Sequence, residues 1–275
     1  MKTEEGEMKV NICVLGSGSS GNCTVIWTEK EALLVDCGRL GVEYIIRQLA
    51  KLKIPTGSLA GIIITHGHGD HFDPTAVKIA KQFHIPVYIH KLTYQLVRKR
   101  YKSAKILDQR SLIRYHSEER FPLGDFLINP FKVYHSQGYV GEPFGFSIVN
   151  RAIKIGYFTD SGKIDDNIVK ALAGSSVAVI EANHDEEMVK RGYRDESNKK
   201  WILSDFGHLS NKGAAELIGR IGQAEQSLRY VFLAHLSEDH NTIDGALANV
   251  SKGLKNRHIK LLPTYHDKPS IVVMI

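Results

Sequence analysis

Seven residues, Thr65-His66-Gly67-His68-Gly69-Asp70-His71, place three histidines and an aspartate directly behind the apolar run Gly61–Ile64. Imidazole nitrogens and a carboxylate are the donor set of zinc and of other divalent transition metals. At the end of a buried strand the backbone is fixed, and two glycines permit a tight bend, so these donors can converge on one or two cations. Four side chains cannot complete two coordination shells, so further ligands must arrive from elsewhere. Three residues have the right type and setting: His135 behind Phe131–Tyr134, Asp160 behind Ile155–Thr159, and His235 behind Val231–Ala234. Each directly follows an apolar run, as the first cluster does.

The elements that must position these residues are legible as alternating short apolar runs and amphipathic stretches. Strands are expected at Val10–Leu15, Cys23–Trp27, Ala32–Val35, Gly61–Thr65 and Pro86–His90, and helices at Gly41–Lys51, Pro74–Gln82 and Leu92–Tyr101. A β-rich middle follows, with Arg110–Arg114, Phe126–Tyr134, Phe144–Val149 and Lys154–Thr159. The last part alternates again: strands Val177–Glu181 and Tyr230–Ala234, helices Lys212–Ile221 and Thr242–Leu254. Strands in two batches, each followed by helices, with no Pro/Gly/Ser-rich linker or internal repeat, predict an α/β protein with two packed sheets and outer helices in one domain over residues 1–275. Met8 opens what reads as a complete first strand, which makes residues 1–7 a dispensable extension.

With these strand ends in place, the cluster resembles the metallo-β-lactamase fold superfamily, an αββα four-layer sandwich with a dinuclear site. The resemblance implies that His66, His68 and His135 hold one ion, that Asp70, His71 and His235 hold the other, and that Asp160 bridges them. Asp36, in Leu33-Leu34-Val35-Asp36, would orient the ligand loop from behind. Gly16–Cys23, Glu181-Ala182-Asn183-His184-Asp185, Gly207-His208-Leu209-Ser210-Asn211 and Ala234–Asn241 narrow the likeness to the YycJ/WalJ group of bacterial proteins, described as 5′-to-3′ exonucleases on double-stranded DNA. Two segments depart from that group's usual pattern: Ser136-Gln137 after His135, and Tyr193-Arg194-Asp195.

Glu181 and His208 resemble the carboxylate–histidine pair of ribonuclease Z and its relatives, where the histidine protonates the leaving oxygen. A sugar alkoxide leaves poorly, so an acid is chemically needed, and a carboxylate behind the imidazole fixes its tautomer. His208 can alternatively contact phosphate or cap the helix at Lys212. The turn Gly16–Asn22 can cradle phosphate through backbone N–H groups or be only a tight hairpin. His184, His240 and His266 lie near these motifs; His84, His90, His116 and His258 show no partner pattern.

Of 275 residues, 43% are hydrophobic and 24% charged, with 36 basic against 30 acidic residues and a net charge of +6. This composition excludes a disordered or collagen-like chain, and no apolar run approaches the roughly 18 residues of a spanning helix. An acidic start instead of a basic, apolar leader predicts a cytosolic protein. Cys13, Cys23 and Cys37 form no metal or disulfide pattern and read as core residues. Basic residues gather at Lys91, Arg98, Lys99, Arg100, Lys102 and Lys105, and at Lys252, Lys255, Arg257 and Lys260. They either track a phosphate backbone or line a solvated helix face.

The expectation is therefore a metal-dependent phosphodiesterase on nucleic acid, DNA first and RNA second. Two divalent ions, zinc, manganese or iron, would activate the attacking water. Asp70 would be essential to turnover and His208, backed by Glu181, would be the general acid. A hydrolase of small phosphodiesters or (thio)esters keeps the same site with another substrate. A nucleic-acid-binding protein with a vestigial site is the non-enzymatic rival. Oligomeric state is open.

Overall fold

The computed structural model describes residues 9–136, 138–224, 227–254 and 258–275. The expected extension at 1–7 lies outside them, as do Gln137, Lys255 and Arg257. The first batch of elements is β1 (Asn11–Gly16), β2 (Cys23–Trp27), β3 (Ala32–Val35), α1 (Val42–Lys51), β4 (Leu59–Ile63), α2 (Pro74–Phe83), β5 (Val87–His90), α3 (Lys91–Arg100), α4 (Lys105–Gln109) and β6 (Ile113–His116). The second is β7 (Phe121–Leu123), β8 (Phe126–Lys132), β9 (Phe144–Asn150), β10 (Ile153–Phe158), α5 (Asp166–Leu172), β11 (Val177–Glu181), α6 (Glu186–Arg191), α7 (Glu196–Ile202), α8 (Asn211–Ala224), β12 (Tyr230–Ala234), α9 (Ile243–Gly253), β13 (Lys260–Pro263) and β14 (Val273–Met274).

These strands form two seven-stranded sheets, in the orders β14-β1-β2-β3-β4-β5-β6 and β13-β12-β11-β10-β9-β8-β7. Both are mixed. β3 to β6 run parallel in the first and β10 to β13 in the second, while the remaining neighbours are antiparallel.

Alternation along each strand explains the layering, because successive side chains leave a sheet on opposite faces. On β1, Ile12 and Val14 enter the layer between the sheets, while Cys13 and Leu15 join the layer under α1 and α2. On β11, Val177 and Val179 face the same inter-sheet layer, and Ala178 and Ile180 pack with Leu217, Ile218 and Val250 of α8 and α9. Three apolar layers between helices, sheet, sheet and helices are the αββα order expected.

Several expected bounds shift. The run Arg110–Arg114 is not a strand throughout: α4 ends at Gln109, Ser111 has φ 54°, and extended backbone begins at Ile113. His135 stands three residues past β8 and Asp160 two past β10, so neither directly ends its strand. The glycines of the histidine loop serve space instead of positive φ. Neither Gly67 nor Gly69 has positive φ, but a Cβ on Gly67 would lie 2.8 Å from the Val140 carbonyl oxygen and one on Gly69 2.9 Å from the Tyr101 hydroxyl. Among the described residues no helix is long and apolar enough to cross a membrane.

Candidate metal centre

The parallel strands of both sheets end at one edge, and the residues that follow them meet there: Asp36 after β3, the 65–71 loop after β4, Asp160 after β10, Glu181 at the end of β11 and His235 after β12. His135 joins them from the segment after β8. All seven proposed ligands are brought together, in overlapping groups whose donor atoms lie within 4.8 Å of one another.

In the first group the hydrogen bonds decide where the lone pairs point. Asp36 is fully buried, and its Oδ2 accepts the Thr65 hydroxyl at 2.8 Å, so toward His66 Nδ1, 3.0 Å away, Thr65 Oγ1 can only accept. The His66 lone pair is then on Nε2. Likewise His135 donates from Nδ1 to the Gly207 carbonyl at 2.9 Å, which leaves its lone pair on Nε2. Both Nε2 atoms converge on His68 Nδ1, at 3.0 and 3.1 Å. Burial first, then crowding by the other histidines, holds His66 well below the ordinary imidazole range. Burial likewise takes His68 and His135 down to about 4. Three neutral, proton-poor imidazoles therefore face one point, which suits a cation and little else.

The second group is built around carboxylates. His71 donates from Nδ1 to Asp36 Oδ2 at 2.7 Å, and its Nε2 lies 3.2 Å from both Asp70 Oδ2 and Asp160 Oδ2. His235 Nε2 is 3.3 Å from Asp70 Oδ2. Asp160 stands between the groups, with Oδ1 3.8 Å from His135 Nε2 and 3.6 Å from His235 Nδ1. Both its oxygens are buried and lack a hydrogen-bond donor. A buried carboxylate without donors is costly unless cations surround it, so this orphaned pair of oxygens and the converging imidazole nitrogens fit divalent metal. Burial opposes ionisation of Asp70 and Asp160, but His71 and His235 outweigh it and lower both. The same carboxylates overcome burial at His71, which is raised well above its usual value, and at His235, raised to about 10. A metal ion would displace those protons.

Behind this cluster lies Glu181, fully buried and shared. Its Oε1 accepts from His208 Nδ1 at 2.7 Å and from His235 Nδ1 at 3.2 Å, while Oε2 accepts from the backbone N–H groups of Ser161 and Leu209 at 3.1 and 3.0 Å. Burial disfavours its charge, yet His208 and His235 keep it well below the usual carboxylate range. His208 is thus held by Nδ1, with Nε2 left for a substrate. Its ring centre is 5.2 Å from that of His235 and 5.0 Å from that of His135.

Some functional contacts carry no mark in the motif pattern. Asn22 donates from Nδ2 to Asp70 Oδ2 at 3.1 Å, and the same atom is 3.1 Å from His71 Nε2. Ser17 Oγ accepts from the His235 backbone N–H at 2.8 Å. The glycine- and serine-rich turn therefore braces three ligands of the second group, Asp70, His71 and His235. Of the other histidines near the motifs, His184 and His240 are buried and His266 contacts Ser20 at 3.4 Å.

Residues 32–235 match the family model of the β-lactamase superfamily domain. The chain is 32% identical over 252 residues to exodeoxyribonuclease YycJ of Bacillus anthracis, covering 91% of each chain. It is 31% identical over 237 residues to exodeoxyribonuclease WalJ of Streptococcus pneumoniae, covering 86% of this chain and 84% of that one. Among solved structures, the metallo-β-lactamase fold protein YhfI of Bacillus subtilis superposes with a TM-score of 0.70 at 16% identity, over 98% of this chain and all of the other. A match of this extent, on two sheets whose strand ends gather the histidine and aspartate residues, makes the chain a member of the metallo-β-lactamase superfamily, in the group that contains YycJ and WalJ.

Proposed function

We propose that this chain is a metal-dependent exodeoxyribonuclease that degrades double-stranded DNA from 5′ ends, with two divalent ions, zinc or manganese or iron, held by His66, His68 and His135, by Asp70, His71 and His235, and between them by Asp160. The observation that carries the reading is the pair of buried Glu181 and partly exposed His208 at 2.7 Å, set against the ligand cluster. Thioester hydrolysis has no such need of an acid, because a thiolate leaves more readily than a sugar alkoxide. The names of YycJ and WalJ agree with this reading. Three buried free cysteines suit a reducing cytosol.

Divalent cations held there supply Lewis acidity toward a phosphate and an attacking water. The chain's own residues supply the proton and the alignment. His208 Nε2 gives its proton to the departing sugar oxygen. Glu181 holds Nδ1–H, and the backbone N–H groups of Ser161 and Leu209 keep Glu181 from turning.

The test is digestion of 5′- and 3′-end-labelled single- and double-stranded DNA and RNA by purified protein of measured metal content. Release of 5′-labelled mononucleotide from duplex DNA is expected, lost on chelation and restored by Zn²⁺ or Mn²⁺. His208→Ala should slow turnover by about 100-fold or more while metal stays bound. Undiminished digestion by metal-stripped protein would refute the scheme.

A further inference from the structure

A recess of about 300 Å³ opens beside His208. It is walled by Ser19 of the turn after β1, by Arg194, Asn198 and Trp201 on and before α7, and by the loop after β12 that carries Asp239. That volume is at the small end for ligand pockets, which run from about 300 to 1,000 Å³. It has room for a single nucleoside and none for a base pair. Trp201 is half-buried on its wall, and its ring centre lies 5.3 Å from that of His208, with the two planes at 89°.

We propose that this recess takes the unpaired base of the nucleotide being released, stacked on Trp201. The inference rests on the nuclease reading and extends it to the form of the substrate: the terminal nucleotide leaves its partner strand before the bond is cut. Aromatic faces beside a nucleic-acid path stack bases regardless of their identity. Asn198 adds a side-chain amide with both donors and an acceptor, which can pair with the edge of any base. The charge of the wall argues against a free phosphate as occupant. Glu238 and Asp239 line it, and Asp239 already holds the Arg194 guanidinium through Nε at 3.0 Å and through Nη2. The scissile phosphate therefore stays at the metal cluster, and the uncharged part of the nucleotide enters the recess. When the P–O3′ bond breaks, the water oxygen bonds to phosphorus, the His208 Nε2 proton goes to O3′, and the proton given up by water is matched by the one that recharges His208. The leaving O3′ belongs to the nucleoside in the recess, so His208 must border that recess, as it does.

The chain has two tryptophans, Trp27 and Trp201, so in a Trp27→Phe protein the indole emission reports Trp201 alone. Titration with deoxyadenosine 5′-monophosphate should quench that emission, and deoxyribose 5-phosphate, which lacks a base, should not. Trp201→Ala should lower kcat/KM on ordinary 5′ ends about ten-fold, an amount typical of one stacked base. Trp201→Phe should retain most of it. On DNA with an abasic 5′-terminal residue the unsubstituted protein should already be that slow, and Trp201→Ala should slow it no further. Equal quenching by both compounds, no quenching by either, or an equal loss for Trp201→Ala on normal and abasic ends would overturn the inference. Wild-type protein that digests no DNA would overturn the nuclease reading instead, and the quenching arm would still decide whether the recess holds a nucleoside.

Discussion

Asp36, Asp160 and His235 all stand in left-handed backbone, with φ of 57°, 56° and 55°. Residues with a Cβ enter that region at a cost of about 1–2 kcal/mol each, and such outliers gather at functional sites because the surrounding fold over-determines them. What fixes Asp36 is visible: Oδ1 accepts the Thr65 N–H at 2.9 Å, while Oδ2 accepts the Thr65 hydroxyl and His71 Nδ1. One carboxylate thereby sets the start of the ligand loop and the tautomers of His66 and His71. Asp36→Asn keeps the shape and tolerates the backbone, but its amide offers only one acceptor oxygen for three donors. Metal affinity should fall about 10- to 100-fold, as when other supporting partners of metal-bound histidines are lost, measured by competition with a chromophoric chelator. Unchanged affinity would remove Asp36 from the site's support. The proposed ligands and the Glu181–His208 pair were legible in the sequence because histidine is scarce and its spacing informative. The bracing roles of Asn22, Ser17 and Thr65 were not, since asparagine, serine and threonine fill ordinary turns and only three-dimensional contact shows which ligands they hold.

At the scale of elements, β6 carries a consequence for pH. His116, which ends it, is 6% exposed and stacks on Phe121 at 5.7 Å, with Phe144 and Phe146 edge-on at 5.1 and 5.7 Å. Burial in this aromatic setting takes its pKa down to about 4. In the unfolded chain the value is about 6.5, so between these limits the unfolded state binds the proton more readily and acid favours unfolding. The contribution of neutral His116 is complete above pH 6.5, falls as pH drops, and is exhausted near pH 4. At pH 5 the loss is about 2 kcal/mol at most. His116→Phe should flatten this limb: in chelator-treated protein its urea midpoint should drop less between pH 7.5 and 5 than that of the parent. Equal drops would contradict the assignment. Longer strands and helices were legible to within a few residues because their periodicity spans several turns of pattern. α5, α6 and α7 escaped, being six or seven residues long. Their only mark is the capping aspartate before each, Asp165, Asp185 and Asp195, which accepts backbone N–H groups in the first turn.

For the whole molecule, one domain is proposed because the chain crosses between sheets more than once. It opens on β1, passes to the second sheet at β7, and returns from β13 to pair β14 with β1 through Asn11↔Met274 and Ile12↔Val273. No single cut separates the sheets, and the ligand cluster draws on both. The net charge of +6 belongs to the same scale, and its meaning depends on where the cations stand. Arg100, in the last turn of α3, donates to the Gly67 carbonyl at 2.5 Å and to that of Tyr139 at 3.3 Å, which puts the end of this basic helix against the ligand loop. Lys99 and Lys102 beside it are exposed. If they only solvate a helix, removing them leaves DNA binding untouched. If they meet the strand entering the centre, each contact releases counterions, and the slope of log K against log salt steepens by about 0.9 per neutralised phosphate. Lys99→Ala and Lys102→Ala together should weaken duplex binding and make the slope shallower by about 2, without changing metal content. The slope decides between these readings better than affinity does, because altered folding weakens binding at every salt concentration alike, whereas a lost phosphate contact changes the dependence itself.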